Sequence, residues 1–132
     1  MERTLLIIKP DAVERKLIGH IINRLEKDGF NLLKIEMVYL SRQQAEDFYA
    51  VHQGKPFYTE LVEFMTSGRV VPLLLEKENA VVDLRRLIGD TDPAKAAPGS
   101  IRREIAIDNQ KNSVHASDSV ENARTEIAFF FG

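Results

Sequence analysis

Cysteine is absent from these 132 residues, which excludes disulfides, thiolate metal centres and thiol nucleophiles and suits a reducing cytoplasm, the expected location. Glycine is sparse at seven, and none falls in a GxGxxG or Walker-type loop, so a Rossmann or P-loop nucleotide site is excluded. Any phosphate this chain binds must be held by side chains. No apolar stretch approaches the ~18 residues of a membrane span, and Met1-Glu2-Arg3 leads straight into a strand-like run, so neither a membrane anchor nor a leader is expected. A one-sided charge is missing too: 18 basic and 20 acidic residues give a formal net charge of -2. There is no global field to recruit nucleic acid, and attraction for a polyanion has to come from a local cluster. Repeats, linkers and low-complexity tracts are likewise absent, and the length suits a single domain over 1–132 that buries roughly two thirds of its unfolded-chain surface.

What is present reads as alternating short elements. Arg3 to Lys9 is an apolar, β-branched run closed by Pro10, the pattern of a buried strand with Lys9 at its exit. Leu17, Ile18, Ile21, Ile22 and Leu25 keep helical spacing up to a stop at Asp28-Gly29, and a second strand-like run follows from Asn31 to Leu40. Ser41-Arg42-Gln43-Gln44 has the form of a capping box opening a helix through about Val51, and a further helix runs through Tyr58 to Met65. Val70 to Glu76 predicts a strand, Asn79 to Ile88 a helix stopped by Gly89, Asp90 to Gly99 a loop, Ser100 to Ile105 a helical turn and Ser113 to Ala116 a final strand. This order is compatible with a ferredoxin-like split βαβ sheet carrying helices on one face.

The most informative residue is His115, which a short extended segment carries into the turn Ser117-Asp118-Ser119. These are helix-capping residue types, with Asp118 the natural cap, and an amphipathic helix over Val120 to Ala128 follows. Glu126 on that helix lies within reach of the imidazole. A carboxylate accepting from one ring nitrogen fixes the tautomer that leaves the other free to attack. The competing reading of His115 is a partly buried histidine satisfied by the nearby Ser and Asp. Upstream, Lys9, Arg85, Thr91, Arg102 and Asn112 supply what a phosphate chain needs: planar guanidinium forks, a compact ammonium and polar partners from several sides. Arg85 and Arg86 adjoin on a helix and point ~100° apart, so only one of them can face a pocket. Arg102 and Arg103 pose the same choice. His20 and His52 read as solvated or packing histidines.

Four runs, Thr4 to Val13, Arg85 to Pro93, Pro98 to Arg102 and Asn112 to Ser119, resemble nucleoside diphosphate kinases in order and spacing, and the resemblance extends over nearly the whole chain. It implies an α/β chain of the α+β kind: a ferredoxin-like split βαβ fold with a four-stranded antiparallel sheet, helices covering it and an inserted helical hairpin over the nucleotide. It implies a ping-pong reaction in which a nucleoside triphosphate, mainly ATP, phosphorylates His115 at Nδ1 while Glu126 holds the other nitrogen, and a nucleoside diphosphate then removes the phosphate. It selects Arg85 over Arg86 and Arg102 over Arg103, and puts Arg85, Thr91 and Arg102 on phosphates and Lys9 and Asn112 on the ribose. Phe57 stacks on the base by the same resemblance, against a local reading as a core aromatic. Tyr49 is placed beside the histidine and Leu61 along the cleft, with packing between hairpin helices the equal alternative for both. Mg²⁺ is implied on the phosphates with no protein ligand. The family most often has glycine where this chain has Ala116, and many relatives continue beyond its Phe129-Phe130-Phe131-Gly132 ending. A homotetramer is therefore expected, a hexamer being the alternative. The rival reading is a non-catalytic nucleotide-binding or interaction module on the same fold, using the Asp90 to Gly99 loop.

Overall fold

The computed structural model describes residues 1–132. Four strands, β1 (Glu2–Ile8), β2 (Asn31–Ile35), β3 (Val71–Lys77) and β4 (Val114–Ala116), form one sheet in the order β2-β3-β1-β4, every neighbouring pair antiparallel. Seven helices connect and cover them: α1 (Pro10–Glu14), α2 (Ile18–Lys27), α3 (Arg42–Phe48), α4 (Tyr58–Met65), α5 (Ala80–Ile88), α6 (Ile101–Ile105) and α7 (Val120–Phe131), with a single 3₁₀ turn at Ala50–His52. This is the split βαβ arrangement.

Helices lie on both faces of the sheet, not on one. Successive side chains of a strand point to opposite faces, and both faces of central β1 are buried: Leu6 and Ile8 pack with Leu73, Leu75, Ile21, Leu25, Leu84 and Ile88, while Leu5 and Ile7 pack with Tyr49, Leu61, Val62 and Met65. The first cluster belongs to α2 and α5, the second to the α3–α4 hairpin and α7, whose Ile127, Phe130 and Phe131 press on it. A strand covered twice reads as an unbroken apolar run, so its pattern could not reveal two layers.

Several boundaries differ from those the sequence predicts. Pro10 does not merely stop β1; it occupies the first turn of α1, where its fixed φ suits a helix and its missing N–H is no loss, and Lys9 becomes the preceding cap position. β2 ends at Ile35 after a register shift between Leu32 and Lys34, and only a Val38–Val70 bridge continues it toward Leu40. At the chain end α7 runs to Phe131 rather than Ala128, capped by Ser119, whose Oγ accepts from the Asn122 N–H, and not by Asp118. The capping box at Ser41 and Gln44 forms as expected, although α3 ends at Phe48 and hands over to the 3₁₀ turn.

Candidate active site

The β1–β4 pairing sets His115 opposite Ile7, two residues before the strand exit that bears Lys9. From α7, Glu126 Oε1 meets His115 Nε2 at 2.8 Å and also accepts from Ser117 Oγ at 2.7 Å. The imidazole is thus oriented through Nε2, and Nδ1 is left without a protein partner. Ser117, fully buried, is a site residue that sequence reading passed over as a capping type; its place inside the Asn112 to Ser119 run was the available signal.

Two guanidinium groups secure the backbone on either side of the histidine. Arg102 Nη2 donates to the Val114 carbonyl at 2.8 Å and Nη1 to the Gly89 carbonyl at 3.0 Å, while Arg85 Nη1 reaches the Ala116 carbonyl at 3.4 Å. Arg102 is buried with its Nε unpartnered, and burial, reinforced by nearby Arg85, lowers its pKa to about 10. Arg86 turns to Asp83 instead, and Arg103 holds the carbonyls of Ala94 and Ala96. Arg86 faces solvent, its side chain 72% exposed, at the rim of an open depression of about 410 Å³ that Arg85, Gly89, Asp90, Thr91 and Lys95 also line, and Lys95 is a cation outside the sequence motifs.

Lys9 lies inside. Its Nζ donates to Asn112 Oδ1 at 2.9 Å, and the Asn112 amide group in turn donates to the Thr91 and Asn109 carbonyls at 3.2 and 2.9 Å. Burial lowers the Lys9 pKa to about 8; Arg102 pushes the same way, opposed by Asp11 and Asp108. Through Asn112 the structure therefore connects β1's exit to the Asp90–Gly99 loop.

An aromatic wall closes the opposite side. Phe48 meets the His115 ring edge-on at 5.5 Å between centroids, and Tyr49 does so at 6.2 Å. Burial drives the Tyr49 phenol well above its ordinary range, with the Glu126 charge adding to it, and its hydroxyl has no protein partner. His52 is a packing histidine, one of the two readings its sequence position left open. It stacks on Tyr49 at 6.3 Å and lies 5.2 Å from Phe57, with its pKa lowered by burial first and then by Lys55 and His115. Phe57 is exposed and so no core aromatic, whereas Leu61 sits in the cluster under α3 and α4. Ala116 is an ordinary buried strand residue; the left-handed backbone near the site belongs to Ser113, at φ 75°.

Fold and site together define an α+β protein whose short edge strand β4 presents an acid-oriented histidine near buried Arg102 and Lys9. The family model of nucleoside diphosphate kinase matches residues 2–132. Nucleoside diphosphate kinases of Pasteurella multocida (strain Pm70) and Histophilus somni (strain 2336) are 57% and 56% identical to this chain, covering 99% of it and 94% and 93% of their own lengths. Its backbone superposes on the Aquifex aeolicus nucleoside diphosphate kinase with a TM-score of 0.96 at 46% identity, covering 99% of this chain and 95% of that one. The Encephalitozoon cuniculi enzyme in its apo cubic form gives 0.97 at 42% identity, covering 100% and 90%. The chain belongs to the nucleoside diphosphate kinase family, which is a family of transferases.

Proposed function

We propose that residues 1–132 act as one nucleoside diphosphate kinase domain that works through a phosphohistidine. The observation that carries this reading is the 2.8 Å contact between Glu126 and His115 Nε2, which orients the ring and leaves Nδ1 without a protein partner. In the first half reaction Nδ1 attacks the terminal phosphorus of a nucleoside triphosphate, mainly ATP; the P–N bond forms as the bond to the bridging oxygen breaks, and the diphosphate leaves. In the second, a terminal oxygen of another nucleoside diphosphate attacks that phosphorus, breaks the P–N bond and restores the imidazole. Loss of the attacking lone pair leaves positive charge on the ring, and Glu126, itself steadied by Ser117, stabilises it.

Arg85, Thr91 and the unpartnered Nε of Arg102 take the phosphate oxygens in this reading, and Lys9 and Asn112 take the ribose hydroxyls and share the charge. Positioning and charge neutralisation then supply most of the rate. Phe57, exposed at the cleft mouth, stacks on the base, and Tyr49 and Leu61 form the wall behind the nucleotide. Magnesium fits as part of the nucleotide substrate: no three His, Asp or Glu side chains cluster here, and Mg²⁺ commonly keeps its waters and binds through substrate phosphates. It supplies neutralisation of phosphate charge. Stacking without a base-edge reader suits all the common nucleotides, so the proposed role is production of GTP, CTP, UTP and deoxynucleoside triphosphates in the cytoplasm. No helix is long and apolar enough to cross a membrane. The exposed edge of β2 with Leu33 and Ile35, Met37 just beyond it, and the exposed Phe129 favour a homo-oligomer, a tetramer with the hexamer as alternative.

Incubation with ATP labelled on the γ-phosphate tests the central claim. Label retained by the protein in base and lost in acid is the expected result. No acid-labile label, with nucleotide still bound, would instead indicate a binding module without turnover.

A further inference from the structure

Ser113 stands between Asn112 and Val114 at the entry to β4, fully buried, at φ 75°. The Val114 N–H donates to the Asn112 carbonyl at 2.9 Å across it, so Ser113 is the centre of a γ-turn of the strained hand. For a residue with a Cβ such a backbone is strained and persists only where its surroundings impose it. Two contacts do so. The Ser113 carbonyl accepts from the Lys9 backbone N–H at 2.9 Å, and its hydroxyl donates to Asp11 Oδ2 at 3.0 Å.

Asp11 is buried, and none of the chemistry above uses it. Its Oδ1 has no partner, so the Ser113 hydroxyl is the one side-chain hydrogen bond that a buried carboxyl group makes. It lies two residues beyond Lys9, and the turn it holds separates Asn112 from His115. The strands that bring Lys9 and Asn112 within 2.9 Å of one another are therefore joined on this side by the Asp11–Ser113 pair.

Resting on the phosphohistidine reading, we propose that Asp11 is a positioning residue for phosphoryl transfer: through the Ser113 hydroxyl it holds the strained turn that aims Asn112 at Lys9. The charges facing the Lys9 ammonium are Arg102 from α6, which opposes protonation, and Asp11 from α1 and Asp108 from the loop before β4, which favour it. The hydrogen bond and the charge of Asp11 can be separated by substitution. Asp11→Asn keeps an acceptor for the hydroxyl and removes the charge. Ser113→Gly keeps the charge, accepts a positive φ without strain and removes the hydroxyl.

Both variants and wild type are assayed for kcat, KM and thermal unfolding between pH 6 and 10. For Asp11→Asn the alkaline fall in kcat/KM should move to lower pH by about one unit, because an opposing charge has been taken from beside Lys9. For Ser113→Gly that limb should stay in place while kcat/KM drops roughly tenfold, with Tm unchanged or raised. Activity lost without stability lost is what a purely structural contact cannot produce. The inference is overturned if Ser113→Gly matches wild type in kcat/KM, or if the alkaline limb of Asp11→Asn coincides with the wild-type limb. Should Asp11→Asn fail to fold, Ser113→Gly decides alone, its normal kinetics sufficing to refute. Absence of turnover in wild type would instead refute the phosphohistidine reading.

Discussion

Replacing Lys9 by methionine should stabilise this protein at neutral pH while damaging its activity. The pKa of Lys9 drops from 10.5 to about 8 in the folded state, chiefly through burial, which corresponds to ~3 kcal/mol of disfavoured charge at pH 7. Methionine keeps most of the side-chain length and removes that term. Against it stands Asn112 Oδ1, which loses the Lys9 Nζ donor in a buried setting at a cost of ~1–2 kcal/mol. Relief of the charge wins, for a net gain of ~1–2 kcal/mol at pH 7, or roughly 3–6 °C in Tm for a domain of this size. The sign reverses with pH. A lowered folded pKa means that between about 8 and 10.5 the unfolded chain still holds the Lys9 proton while the folded chain has lost it, so wild-type stability rises through that window. At pH 10 the methionine variant should therefore be equal to or less stable than wild type. Urea denaturation followed by circular dichroism at pH 7 and pH 10 measures both differences. A variant less stable at pH 7, or a difference that does not change with pH, would falsify the assignment of Lys9 as a strained buried cation. Wild-type kcat/KM should meanwhile fall above pH 8, where Lys9 deprotonates, so activity and this contribution to stability run in opposite directions.

His115→Ala should abolish nucleotide exchange with Tm nearly unchanged, and Glu126→Gln should retain part of it because an amide still orients Nε2; a larger loss for the glutamine variant would reverse their roles. Gly89→Ala should destabilise by roughly 2–3 kcal/mol, since φ 86° is strained for alanine and the new Cβ would meet Ser100 Oγ at 2.5 Å. That variant should also weaken nucleotide binding through Arg102, which holds the Gly89 carbonyl; an unchanged melting curve would contradict the close approach. Across ATP, GTP, CTP, UTP and their deoxy forms kcat/KM should stay within roughly a hundredfold, about 2.7 kcal/mol, and a wider spread would require a base-edge reader. Sedimentation equilibrium over a range of concentrations should show a tetramer, and a monomer at every concentration would refute a homo-oligomer.

The local signals in this chain are strong where chemistry is local. Capping residues at Ser41 and Gln44, the helical spacing from Leu17 to Leu25 and the strand-turn-helix around His115 all form, because each depends on side chains a few positions apart. The histidine and its acid are eleven residues apart, close enough for one turn and two helical windings to join them, and that pair was legible without coordinates. Elements that answer to distant partners were not. Burial of β1 on both faces erased the alternation that would have shown two helical layers, and Pro10 fits a strand end as well as a helix start. Whether His52 packs idly or stands between Tyr49 and Phe57 depends on how the hairpin folds over the sheet. Asp11 and Ser113, 102 positions apart, meet only because β4 pairs with β1. Sequence by itself determined which residue types this protein has for moving a phosphate and in what order they come. Only the tertiary structure decided their partners and their burial, because a buried charge, a shared carboxylate and a strained turn are properties of the surroundings and not of the residue.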